Sequence, residues 1–189
     1  MAQYVHFLKY VRATASSRET VLVMTVANHP QMLHDDFDEL SALEFEDKGL
    51  MRVWQVMLDA ASRGGRFDRE RLFAALEADG QGPLIERLES QVRNARIWTA
   101  TVEAAAEDAR EGYQQALALH KRTRALKWQK MELERDIDEA TEGDDGEAIM
   151  ALLRALSEVQ MELARLENQE AIIDGFGVLS GRVKGVRGG

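Results

Sequence analysis

The sequence predicts an all-α protein, made of a compact bundle of five or six short helices followed by a long antiparallel helical hairpin. Only two prolines occur among the 189 residues. Long stretches are rich in Ala, Leu, Glu, Gln and Arg, the residues that lose least on entering a helix. The hydrophobic content of 45% suffices for a buried core. Residues that begin and end helices then locate the individual elements.

The first hundred residues divide into short helices. Residues 1–15 carry apolar side chains at roughly helical spacing and predict a first helix. The pattern Ser16-x-x-Glu19 is typical of a capping box and predicts a buried helix that ends at Asn28-His29-Pro30. A glycine pair, Gly64-Gly65, is expected to end another helix. Further helix starts, at a capping aspartate or at a proline in the first turn, are predicted at Asp35, Asp47, Asp68 and Pro83.

A different pattern begins near Ile97. Residues 102–141 contain no proline and one glycine, and predict a helix about 60 Å long. A polar turn at 142–146 leads into a second predicted helix, 147–173, with an apolar a/d seam. The short connection makes the two helices antiparallel neighbours. The seam consists of Ile149, Leu152, Leu156, Val159, Leu163, Leu166 and Ile173 on the second helix and of Leu119, Leu126, Leu133, Ile137 and Ala140 on the first.

The chain is therefore predicted to comprise a bundle (1–100), a hairpin (101–180) and a flexible basic tail (181–189). Nine basic and eighteen acidic residues give the hairpin region a net charge of −9. A domain that grips nucleic acid normally presents a basic face, because binding depends on neutralising phosphates. The charge distribution thus favours a protein partner and argues against strong direct binding of nucleic acid.

Several classes of site and location are disfavoured by the sequence. With no cysteine, there is no disulfide and no thiolate zinc site. No run of about 18 apolar residues and no signal peptide occur, so we expect a cytoplasmic protein without a membrane partner. Nucleotide-binding and hydrolase motifs are missing. His29 with His34 is weighed as a metal site, and Asp144, Asp145 and Glu147 as a calcium site, but helix-end packing and a solvated turn are preferred. No catalytic, cofactor-binding or metal residue is therefore predicted.

Several segments resemble the helicase-binding C-terminal domain of bacterial primases. In residues 17–33, Arg18-Glu19 starts an apolar helix that ends in Asn28-His29-Pro30, as at the opening of that domain. Leu43-Glu44-Phe45 is similar to its leucine-glutamate-phenylalanine stretch. Residues 118–122 and 170–177 are similar to the C-terminal hairpin of alphaproteobacterial, DnaG-type primases. The resemblance covers about residues 16–180.

The resemblance implies a module that docks on the N-terminal collar of the hexameric replicative helicase and tethers primer synthesis to the replication fork. The zinc-binding and polymerase regions of a primase precede this domain, and the sequence contains neither, so the chain is expected to bind and not to catalyse. Two alternatives stay open: a self-associating helical scaffold and the related collar domain of the helicase itself. Contact of the basic tail with DNA or with a single-stranded-DNA-binding protein also stays open.

Apolar residues outside the seam form the candidate contact surface. Large exposed apolar side chains, tryptophan above all, are enriched at interface hot spots, and methionine adapts to the shape of a partner. The alternative is that these residues pack on residues 1–100 or on a second copy of the chain. Together with neighbouring cations, the candidate partner-binding residues are Arg124, Trp128, Met131, Arg135, Met150, Leu153, Arg154, Met161, Ile172 and Phe176.

Overall fold

The computed structural model describes residues 16–63, 67–143 and 145–172, with side chains as far as residue 168. These residues form α-helices and one 3-10 turn and contain no strand, which confirms the all-α fold. The predictions for residues 1–15, Gly64-Gly65, Asp144, Ile173, Phe176 and the basic tail, and for the Ile172 side chain, lie outside this description. The helices are α1 (Ser17–Asn28), α2 (Gln31–Asp35), α3 (Phe37–Ser41), α4 (Lys48–Ser62), α5 (Arg69–Ala78), α6 (Gly82–Asn94), α7 (Ala106–Glu142) and α8 (Gly146–Ile172), with the 3-10 turn at Trp98–Ala100.

Local capping signals are confirmed at three helix starts. Side-chain oxygens of Ser16, Asp47 and Asp68 accept backbone N–H groups from the first turns of α1, α4 and α5. Each bond satisfies a donor that the helix itself leaves unpaired. The predicted cap at Asp35 is wrong, because Asp35 is the last residue of α2 and Asp36 occupies the N-cap position of α3.

Helix α1 is the centre of the bundle. Every residue from Arg18 to Asn28 is buried, and the helix packs against α4, α5, α6 and α7. A helix covered on all sides needs apolar residues around its whole circumference. This is why the run Val21–Val26 lacks amphipathic spacing, and why its β-branched residues form a buried helix as predicted, and not a strand.

Helix α7 belongs to both the bundle and the hairpin. Its 37 residues span about 55 Å. Tyr113, Ala116 and Leu117, in its first half, are part of the bundle core, whereas its second half pairs with α8. The single glycine of α7 lies where the helix crosses the 3-10 turn. A Cβ at Gly112 would come within 2.6 Å of the Thr99 side chain, so this close approach requires glycine.

The apolar seam of the hairpin is confirmed over the described residues. On α8, Val159, Leu163 and Leu166 are buried, whereas the seam residues nearer the turn are half-buried. The gradient arises because two helices alone cover each other on one side only. Arg122 and Glu162 form an ion pair across the seam at 2.6 Å and set which residues of the two helices lie opposite each other.

Candidate docking surface

Among the described residues of α7 and α8, five large apolar side chains are exposed. The exposed fractions are 64% for Trp128, 62% for Met131, 55% for Met150, 44% for Leu153 and 63% for Met161. None of them is therefore buried against the described residues of the bundle. An exposed tryptophan with three methionines and a leucine at one end of a molecule is typical of an interaction surface. We call these five residues the hairpin patch.

On α7 the patch continues a stripe that is buried closer to the bundle. Trp128 and Met131 are one turn apart and share a face with Leu117 and Arg124. Leu117 is 6% exposed because the bundle still covers α7 there. Four residues beyond Arg124 the helix has passed the edge of the bundle, so the same face meets solvent. The patch thus begins where the intramolecular partner ends.

The other three residues of the hairpin patch lie on α8. Met150 and Leu153 lie one turn apart outside the seam, and Met161 lies about two turns further along the helix. With Arg122 opposite Glu162, Met161 lies near the level of Arg122 and the other two lie nearer the turn. Four of the five patch residues therefore lie on the part of the hairpin nearer the turn, whereas Met161 lies at the level where α7 still contacts the bundle.

The cations predicted to surround this surface have different surroundings. Arg124 donates to the Glu44 carbonyl at 2.9 Å and pairs with the Glu44 carboxylate, so it attaches the hairpin to the bundle. Arg135 pairs with Glu132 at 2.7 Å and with other carboxylates of its own helix. Arg154 is exposed and forms no ion pair with any residue in the described ranges. Of the three, Arg154 alone is available to a partner without breaking an internal pair.

A loop of the bundle holds α7 at the point where the patch begins. The Phe45 ring is buried, with its centroid 5.2 Å from that of Trp54 and 5.6 Å from that of His120. His120 Nε2 donates to the Glu44 carbonyl at 2.8 Å. Lys127 donates to both Glu46 carboxylate oxygens at 2.7 Å. We call residues 44–46 with their contacts on α7 the clamp.

Glu19 of α1 stabilises the clamp by hydrogen bonds to its backbone. Its carboxylate accepts the backbone N–H of Glu46 at 2.9 Å and that of Asp47 at 3.4 Å. Sequence reasoning assigned Glu19 only to a local capping box. A carboxylate in a buried helix is a signal for such a distant partner, because buried polar groups are almost always hydrogen-bonded.

The motif Asn28-His29-Pro30 holds the entry of α7. The Asn28 side-chain amide donates to the Ala100 carbonyl at 2.9 Å, and His29 Nε2 donates to the Thr101 carbonyl at 3.0 Å. Both acceptors lie in the segment that leads into the long helix. This motif and the Leu43-Glu44-Phe45 stretch, which carry the primase resemblance, therefore both fix the hairpin to the bundle.

Two titratable side chains, Glu19 and His120, are buried next to each other beside the clamp. Each side chain is 1% exposed, and His120 Nδ1 lies 3.8 Å from Glu19 Oε1. Burial raises the pKa of the Glu19 carboxyl, although the backbone donors of the clamp oppose this. Burial also lowers the pKa of the His120 imidazole, and the charges of Arg18 and Arg124 lower it further. Neutral His120 is thus the form that fits the clamp.

We expect acid to weaken the fold through His120. Because its pKa is lower in the folded chain, the unfolded chain takes up the proton first, and stability falls as the pH drops below about 6.5. Urea unfolding of the wild type and of His120→Gln, at about pH 7.5 and about pH 5.5, checks this. The advantage of the wild type should shrink by about 1 kcal/mol at the lower pH. A difference in stability between the two chains that stays constant between the two pH values would contradict the prediction.

The described residues contain no group of three His, Cys, Asp or Glu side chains able to hold a metal ion. Nor is any helix among them long and apolar enough to cross a membrane. Comparisons with protein-family models, with curated proteins and with solved structures give no match for this chain.

Proposed function

We propose that the chain is the helicase-docking module of a bacterial DNA primase, which tethers primer synthesis to the hexameric replicative helicase at the replication fork. The hairpin patch is the observation that carries the proposal. Five exposed apolar side chains lie on the two helices of the hairpin, four of them nearer the turn than the clamp. The resemblance of residues 16–180 to the helicase-binding domain of primases supports the choice of partner.

The arrangement suits binding to another protein. Residues of the patch come from two helices that the seam holds in register, so little conformational freedom is lost on association. The clamp adds to this by fixing the direction in which the arm leaves the bundle. Burying the patch would remove a few hundred Å² of apolar surface from water, at about 25 cal/mol per Å². The cost of association offsets part of this gain, so polar and charged contacts around the patch have to contribute to the affinity as well.

Titration of the chain into the intact hexameric helicase tests the proposal. We expect a complex in sedimentation-velocity runs at roughly 10 µM of each protein. The chain alone should sediment as a monomer at the same concentration. Failure to form a complex at roughly 100 µM would refute helicase docking. A dimer of the chain alone that covers the patch would favour the scaffold alternative.

A further inference from the structure

We infer that the hairpin patch takes a basic partner surface, an apolar helical face bordered by lysine and arginine, in preference to a second copy of the chain or an anionic membrane. The inference concerns the chemistry of the partner. It rests on the proposed function only for the identification of that partner with the helicase. The net charge of the hairpin and the carboxylates beside the patch carry it.

The part of the hairpin that bears the patch is strongly acidic. Residues 128–168 contain four basic and twelve acidic residues, a net charge of −8. Three of the four cations are already engaged: Lys130 with Glu134, Arg135 with its neighbours, and Arg165 with Glu162. Most cations of this region are therefore already paired with carboxylates of the same chain.

Three exposed carboxylates border the patch without a cationic partner. Asp138 lies two turns beyond Met131 on α7, whereas Glu147 and Glu158 each precede a patch methionine on α8 by three residues. None of the three forms an ion pair with a residue of the described ranges. Arg154 is the one unpaired cation beside the patch in this part of the chain. Three free carboxylates against one free guanidinium leave the border acidic.

The acidic border of the hairpin patch favours some binding partners over others. Two copies of the hairpin would bring like charges together around a small apolar contact, and like-charge juxtaposition at an interface is costly. An anionic bilayer attracts basic segments and repels this one. A partner whose apolar face is bordered by lysine or arginine meets complementary potential, which speeds encounter and fixes orientation.

Two designed amphipathic helical peptides with the same leucine face test the inference, one with lysine and arginine beside that face and one with glutamate. For this measurement Trp98 is replaced by phenylalanine (Trp98→Phe). The exposed indole whose fluorescence reports binding is then that of Trp128. We expect the basic peptide to bind and to lose at least about tenfold in affinity between about 50 and about 500 mM salt. The glutamate peptide and anionic vesicles should not bind.

A matched pair of charge variants locates the effect. The first variant carries Asp138→Lys, Glu147→Lys and Glu158→Lys. Its affinity for the basic peptide should be lower than that of the wild type by about tenfold or more. The control changes the net charge equally at exposed positions of α4, α6 and the segment before α7, with Asp59→Lys, Glu86→Lys and Glu103→Lys. It should change binding by less than about twofold because screening confines such effects to short range.

The outcomes separate this inference from helicase docking. No binding of the basic peptide, equal binding of both peptides, equal losses in the two triple variants, binding to vesicles, or a dimer through the patch would each overturn the inference. If the helicase binds the wild type and the variant with Asp138→Lys, Glu147→Lys and Glu158→Lys equally well, the charge inference fails and helicase docking stands. If the peptides behave as expected but the helicase does not bind, docking fails and the inference stands.

Discussion

Replacing Trp128 with alanine is expected to weaken binding of the hexameric helicase by about 30-fold or more, which corresponds to about 2 kcal/mol. The indole is the largest side chain of the hairpin patch and is 64% exposed in the free chain. Full burial against a partner would therefore remove more apolar surface than burial of any other patch residue. Leu153→Ala should cost less, about tenfold, since its side chain is smaller and partly covered already. Isothermal titration of each variant into the helicase measures both losses.

Trp98 offers a matched control. It is 54% exposed and lies in the 3-10 turn of the bundle, away from the hairpin patch. Trp98→Ala removes a similar exposed indole and should leave helicase binding within about twofold of the wild type. Neither substitution should change the free energy of unfolding by more than about 0.5 kcal/mol, because both rings are solvated. Equal losses of binding in the two variants would remove the patch from the interface.

The sequence was sufficient for the helices because their signals are local. Capping oxygens act within three residues of their targets, as at Asp47, and the heptad spacing of α8 depends only on which face meets α7. The position of Trp128 and Met131 off the seam could be predicted in the same way, but the sequence left open whether they pack on the bundle or are exposed. The point along α7 at which the bundle ends could not be predicted from the sequence. Leu117 lies on the same stripe and is buried, and nothing near it in sequence reports the covering bundle.

The clamp was missed because its contacts join residues far apart in the chain. Arg124 was predicted to be a free cation at the edge of an interface, yet it pairs with Glu44, 80 residues away. Glu19 was assigned to its own helix cap, yet its carboxylate accepts N–H groups 27 and 28 residues downstream. A charged residue's partner follows from tertiary packing, which no local pattern encodes. One feature was open to inspection: His120, Arg124 and Lys127 recur at one-turn spacing on a single face of α7.

Trp54→Ala is expected to lower the free energy of unfolding by about 3–5 kcal/mol. Trp54 is fully buried, its Nε1 donates to the Leu40 carbonyl at 3.0 Å, and its ring packs edge-on against Phe45. Alanine would leave a large cavity beneath the loop that forms the clamp. Urea unfolding followed by circular dichroism measures the change. A loss below about 1 kcal/mol would mean that the core closes over the missing ring.

Trp54→Phe separates packing from the hydrogen bond. Phenylalanine retains an aromatic contact with Phe45 but leaves the Leu40 carbonyl without its indole donor, which should cost about 1–2 kcal/mol. Because Phe45 also contacts His120 on α7, damage at Trp54 reaches the attachment of the arm but not the seam or the hairpin patch. Under conditions where Trp54→Phe remains folded, helicase affinity should therefore stay within about threefold of the wild type. A larger loss would place the clamp, and not only the patch, among the determinants of docking.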